Sequence, residues 1–318
     1  KSLLFYFLRS GMVAQAVILF IVANVFYQTS MMFYNAFLPQ LSSRKNTGMI
    51  SGFGFSIGYL GGFLILILIY PLVRGGLDPS NLSNIKLTFI ITCIFFLVFS
   101  IPSFLLLKDS PAVKTIKIKT SYISYGFKKL ARTLRNIKKH KNLTKFLIAY
   151  FLFSNAFSIL AIYVAIYAKN TLGFGLLEIT TLFILGHIPT IISSFFFGWL
   201  TDRIGPKLTV TVTLSLWILI IIMVTTFNIK AVFYTGYILA AICTGSTLIA
   251  SRSLMTFLIP PDSEAEFFGF YSISGKMSAI IGPVSFGVIS YFTKSQRIAL
   301  LSTLFFLISG LVIIQFVK

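Results

Sequence analysis

Long apolar runs separated by short polar breaks set the pattern of this chain. Nine runs reach the roughly 20 residues that a helix needs to cross a bilayer. They are about Met12–Leu38, Met49–Tyr70, Leu87–Leu107, Phe146–Ala168, Thr180–Leu200, Leu208–Phe227, Ala231–Ala250, Phe268–Phe292 and Ile298–Val317. Alternation over ~10-residue segments, the mark of an outer-membrane barrel, is absent. The pattern predicts an all-α polytopic membrane protein. Pro39 reads as the stop of the first run, and a polar loop with Arg44 and Lys45 leads to the second. There Gly54, Gly58 and Gly62 recur every four residues, which places them on one helix face and predicts close approach by a neighbouring helix.

Composition agrees: 57% of residues are hydrophobic and 11% charged, with a mean hydropathy of +0.92. The formal charge of +20 alone would suggest a nucleic-acid partner. Its distribution argues against one, because twelve of the 27 basic residues fall between Lys108 and Lys145, in one segment joining two apolar blocks. A cytoplasmic loop accounts for that enrichment. Inside the segment Ile123, Phe127, Leu130, Leu134 and Ile137 share one helical face, with Lys128, Arg132, Arg135 and Lys139 around the other. This predicts an amphipathic helix on the inner membrane surface; a solvated basic linker is the alternative. The expected division is 1–107 (three spans), 108–145 (basic linker) and 146–318 (six spans).

Catalytic and cofactor chemistry finds no foothold. Cys93 and Cys243 lie inside apolar runs, without metal-ligand spacing or a disulfide pattern, so neither a metal nor a cofactor is expected. No phosphate-cradling glycine loop and no nucleophile–base set is present. None of the seven acidic residues falls in the middle of a run.

Between two runs stands Gly198-Trp199-Leu200-Thr201-Asp202-Arg203-Ile204-Gly205-Pro206-Lys207. Its spacing, G-x-L-x-D-R-x-G-x-K, resembles the signature loop of the major facilitator superfamily of secondary transporters. Further stretches resemble its autophagy-related vacuolar effluxer-like branch: Tyr34-Asn35-Ala36-Phe37-Leu38-Pro39, Ser51–Gly62, Ser251-Arg252-Ser253-Leu254 and Glu264–Lys276. The resemblance runs from about Ile18 to Val317. It implies a major facilitator fold with nine of twelve helices present, the first three being absent. It also implies alternating-access or facilitative transport of a small solute, with a proton or ion as candidate coupling partner. Fungal relatives are linked to amino-acid export from the vacuole. The expected location is a bacterial cytoplasmic membrane, crossed many times. The competing expectation is a truncated, non-transporting remnant or membrane interaction protein.

Gate residues by this resemblance are Gly198, Asp202, Arg203, Gly205 and Lys207, with Asp202 facing the positive end of the helix that starts near Gly48. Glu264 and Glu266 precede a helix whose dipole favours them; the sharper alternative pairs them with Arg252 to close the gate. Candidate substrate or coupling residues are Lys276, His187, Asn155, Tyr34, Asn35 and Gln28. Lys276 lies about two turns into its span, where it binds a solute or snorkels to the interface. His187 is a proton site or a hydrogen-bonded packing residue. The amides serve a ligand or helix–helix hydrogen bonds.

Overall fold

The computed structural model describes residues 2–8, 11–76, 78–107, 124, 140–227, 229–260 and 263–318. After a 3-10 helix, Ser2–Phe7, come α1 (Val13–Leu41), α2 (Thr47–Val73) and α3 (Leu82–Leu106), the last led in by a 3-10 turn at Pro79–Asn81. Then follow α4 (Lys141–Leu172), α5 (Leu176–Ile204), α6 (Pro206–Thr226), α7 (Lys230–Leu258), α8 (Glu264–Thr293), α9 (Gln296–Leu301) and α10 (Thr303–Gln315). Among the described residues, nine spans are long and apolar enough to cross a membrane, α9 and α10 together forming the ninth. The expected amphipathic face of Ile123, Phe127, Leu130, Leu134 and Ile137 lies outside the described residues.

The helices overrun their apolar runs. Pro39 does not stop α1 but sits in its last turn, and Pro71 does the same in α2. So near a helix end a missing N–H disturbs little of the remaining ladder. At the other extreme α4 takes in Lys141–Lys145 from the basic segment, because Leu143 and Phe146 are buried there. The ninth span breaks at Ser302. Its hydroxyl donates to the Ala299 carbonyl (2.6 Å) and that of Thr303 to Leu300 (2.7 Å), which competes locally with the helical ladder.

Two compact units divide the chain: Lys1–Phe33 with Leu60–Lys117, and Tyr34–Tyr59 with Ile118–Lys318. In the first, Phe5 stacks on Phe89 with ring centroids 5.4 Å apart. The Asn81 amide donates to the carbonyls of Leu72 and Gly76, closing the turn between α2 and α3. In the second, α5 packs on α7, α4 on α8 and α10, and α6 on α7. Phe146, Phe153, Leu214, Met255 and Phe268 form its fully buried centre. Small residues set the closest approaches: a Cβ on Gly282 would stand 2.6 Å from the Asn155 carbonyl oxygen.

Candidate functional site

The connection between α5 and α6 is a single residue, Gly205, with φ +89° and ψ 147°. Few side chains tolerate that backbone, so glycine is required there. Asp202 and Arg203 therefore sit in the last turn of α5 rather than in a loop. From that position the Asp202 carboxylate accepts two backbone hydrogen bonds, Gly48 N to Oδ1 at 2.6 Å and Met49 N to Oδ2 at 2.8 Å. Both amides belong to the first turn of α2, where N–H groups lack intrahelical acceptors and the helix dipole favours negative charge. Arg203 lies over the Trp199 ring, 4.9 Å from its centroid. Lys207 performs the opposite capping: its Nζ donates to the carbonyls of Gln315 (2.8 Å) and Val317 (2.5 Å). Lys145 adds a bond to Phe316 (3.0 Å), so two cations close the C-terminal end of α10.

Glycines let α2 and α5 touch at the backbone. A Cβ on Gly48 would lie 2.5 Å from the Gly198 carbonyl oxygen, and one on Gly52 equally close to that of Ser194. One turn further, the Ser56 hydroxyl donates to the Ile191 carbonyl at 3.0 Å. The face of α2 that meets α5 is thus Gly48, Gly52 and Ser56 rather than the expected Gly54, Gly58 and Gly62. Those three sit two positions out of phase, close to the opposite side of the helix at 100° per residue. Gly58 and Gly62 have open space around them among the described residues, while Gly54 faces the Tyr34 hydroxyl.

Arg252, near the end of α7, is only 4% exposed. Its Nη2 donates to the Tyr34 carbonyl (3.1 Å), and its guanidinium lies over the rings of Tyr34 (4.4 Å) and Phe55 (5.7 Å). Nε has no acceptor among the described residues. The pairing of Arg252 with Glu264 or Glu266 is not what the structure shows: the arginine turns to aromatic faces, and the two acids occupy the first turn of α8, where the helix dipole favours them. Asn35, beside Tyr34, is buried, with Oδ1 lacking a partner among the described residues.

The other candidates are dispersed. Because α8 begins at Glu264, Lys276 stands about 18 Å along the helix, deeper than the two turns expected. It is exposed, without a hydrogen-bond or ion-pair partner among the described residues. Asn155 is fully buried in α4, its amide donating to the Phe151 carbonyl at 2.6 Å. Gln28 is half-buried on α1, in the first unit. His187 Nδ1 stands 2.8 Å from the Phe183 carbonyl, which can only accept, so Nδ1 carries the proton. At the start of α5 the Glu178 carboxylate accepts from Gly175 N (2.7 Å) and from Lys230 Nζ (3.1 Å). The Gly175 N–H first, and Lys230 second, hold this carboxyl below the usual glutamate range.

His187 also lines a cavity of about 280 Å³ within the second unit, among α4, α5, α6 and α7. Sequence reasoning did not find this cavity, nor Gly52, nor the lysine caps on α10. Each depends on partners far apart in the chain and carries no local signal.

Residues 1–318 match the family described as vacuole effluxer Atg22 like. The chain belongs to this family. An uncharacterized MFS-type transporter of Bacillus subtilis (strain 168), YxiO, is 26% identical, the match covering 100% of this chain and 77% of that protein. Autophagy-related protein 22 of Yarrowia lipolytica is 27% identical over 90% of this chain, which spans 53% of the fungal protein. In solved structures the fold is similar to the Escherichia coli fucose:proton symporter FucP, with TM-score 0.66, 14% identity, and coverage of 90% of this chain and 73% of that one. It is also similar to the human organic anion transporter MFSD10, with TM-score 0.63, 15% identity, and coverage of 89% and 67%. The Atg22-like chain is thus a multi-pass membrane protein with the major facilitator fold, in a family of membrane transporters rather than enzymes.

Proposed function

We propose that this chain moves a small solute across a membrane by alternating access, and that Asp202 holds one side shut. The observation that carries the reading is the carboxylate seated on the two free amides of α2. This is a contact between elements far apart in the chain that can be made and broken without unfolding either helix. Arg252 on Tyr34 and the glycine contact of Gly48, Gly52 and Gly198 belong to the same closure. The basic segment 108–145 favours an orientation with these elements at the cytoplasmic face. The bacterial relative matched along the whole chain supports a bacterial cytoplasmic membrane.

Among the described residues, the acids Asp78, Glu178, Asp202, Glu264 and Glu266 all lie at or beyond helix ends, which gives no support to a carboxylate-based proton relay inside the spans. Facilitated diffusion, or proton coupling through His187, fits better. Amino acids are candidate cargo through the family resemblance.

The test uses a thiol in place of Ser51, a fully buried residue one position from Gly52, with Cys93 and Cys243 replaced by alanine. In inside-out vesicles, a membrane-impermeant maleimide should label this cysteine slowly, and Asp202→Asn should speed the labelling several-fold. Equal rates in both proteins would overturn the gate reading.

A further inference from the structure

We propose that the cavity among α4, α5, α6 and α7 binds an uncharged, largely aromatic solute that carries a hydrogen-bond acceptor. Its volume, about 280 Å³, lies at the lower end of small-molecule pockets, which suits a one- or two-ring guest. The walls are aromatic. Phe157 leans on Trp217 with centroids 5.2 Å apart, and Phe183 meets Tyr237 edge to face at 6.1 Å. Such walls offer both ring faces and ring edges to an aromatic guest.

Among the described residues, the lining contains no aspartate, glutamate, lysine or arginine. The hydroxyls of Thr190 and Thr244 are already committed to helix carbonyls, Gly186 and Ala241 for the first and Ala240 for the second. Apart from His187, whose Nδ1 proton goes to the Phe183 carbonyl, no described lining residue offers a counter-charge. A charged group brought inside would therefore lose its water for little return, which selects against ions and against the zwitterionic part of an amino acid.

Among the described lining residues, one fully buried side-chain donor has no partner. Trp217 is 3% exposed, and its indole N–H has no acceptor among the described residues. A buried donor left unpaired is costly, and indole nitrogens normally find a partner. A carbonyl or ether oxygen on the guest would supply it.

Binding of this guest stands on the cavity alone and is separate from the amino-acid cargo named in the transport reading. The chain has two tryptophans, so Trp199→Phe leaves Trp217 as the sole tryptophan, excited selectively at the red edge where tyrosine does not absorb. In lipid nanodiscs without any gradient, acetophenone should quench its emission saturably. Ethylbenzene, which lacks the acceptor, should bind at least fivefold more weakly, and phenylalanine should give no saturable change. Adding Ala161→Phe, which fills the cavity, should abolish saturation. A linear acetophenone response that is unchanged by Ala161→Phe would mean partition into lipid and overturn the proposal, as would saturation by phenylalanine at equal concentration. A second variant keeps the wall intact: in Trp217→Phe, equilibrium dialysis should show acetophenone's advantage over ethylbenzene gone, and a retained fivefold advantage would sink the role of the indole. Saturable binding without transport would refute the transport reading and not the site. Transport without such binding would do the reverse.

Discussion

Asp202 grips Gly48 through the backbone, Oδ1 2.6 Å from its amide nitrogen, while the other oxygen takes Met49. A carboxylate can do this because it is acceptor-only at both oxygens. In Asp202→Asn one of the two amides would face an NH2 group, and the charge opposite the helix dipole would vanish. The closed state should lose about 1–2 kcal/mol, a roughly five- to thirtyfold shift in the opening equilibrium. Thiol labelling at position 51 reads this directly.

Gly52→Ala should open the same contact by steric means. Its Cβ would stand 2.5 Å from the Ser194 carbonyl oxygen and 2.8 Å from the Gly198 Cα, so α2 and α5 must separate. Overpacking of this kind costs about 1–3 kcal/mol. Gly58→Ala, with open space around it, should leave labelling within twofold of the parent protein.

The contrast between Gly52 and Gly58 marks what was legible in the sequence. Nine spans could be read because the bilayer demands about 20 apolar residues per helix, a local requirement. The ends could not: Pro39 and Lys141–Lys145 lie near the interface, where neighbouring packing decides whether the helix continues. Small residues at four-residue spacing occur on two faces of α2, and nothing local says which one meets a partner. Asp202 was readable only because its motif is shared by a family. Lys207 belongs to that motif too, yet its bond to Gln315 spans 108 residues, and no spacing announces such a pair.

Tyr34 and Arg252 should be energetically coupled. In a double-mutant cycle with Tyr34→Leu and Arg252→Met, thermal unfolding in detergent should show a coupling of about 1–2 kcal/mol, the range of a desolvated cation–π contact. Additive single effects would show that the ring and the guanidinium are merely neighbours.

Glu178 gives a pH dependence with a definite sign. Its carboxyl is held below the usual glutamate range by Gly175 N–H and then by Lys230, so the folded state favours the ionised form. That stability is fully present above the ordinary glutamate range and is lost as pH falls through the lowered value. The melting temperature should fall on acidification below that range, and Glu178→Gln should flatten this part of the profile. An unaltered slope in the variant would remove Glu178 from the account.

Lys207→Met should free the carbonyls of Gln315 and Val317. Hydrogen exchange over residues 311–317 should speed up by about fivefold, in line with roughly 1 kcal/mol for a cation at a helix C-terminus. The α2 contact of Asp202 should persist, since Asp202 sits in the last turn of α5 and not in the α10 cap.

Gly205 leaves no slack between α5 and α6. A flexible loop would let a charged tip swing away while the helices stayed in place. A one-residue joint transmits displacement like a crank: whatever pulls Asp202 from its seat drags α6 with it, and through α6 the helix packed behind, α7, which carries Arg252. On the proposed gate reading, Asp202 and Arg252, fifty positions apart, are thus mechanically one part, and the side they would guard opens as a unit or stays shut.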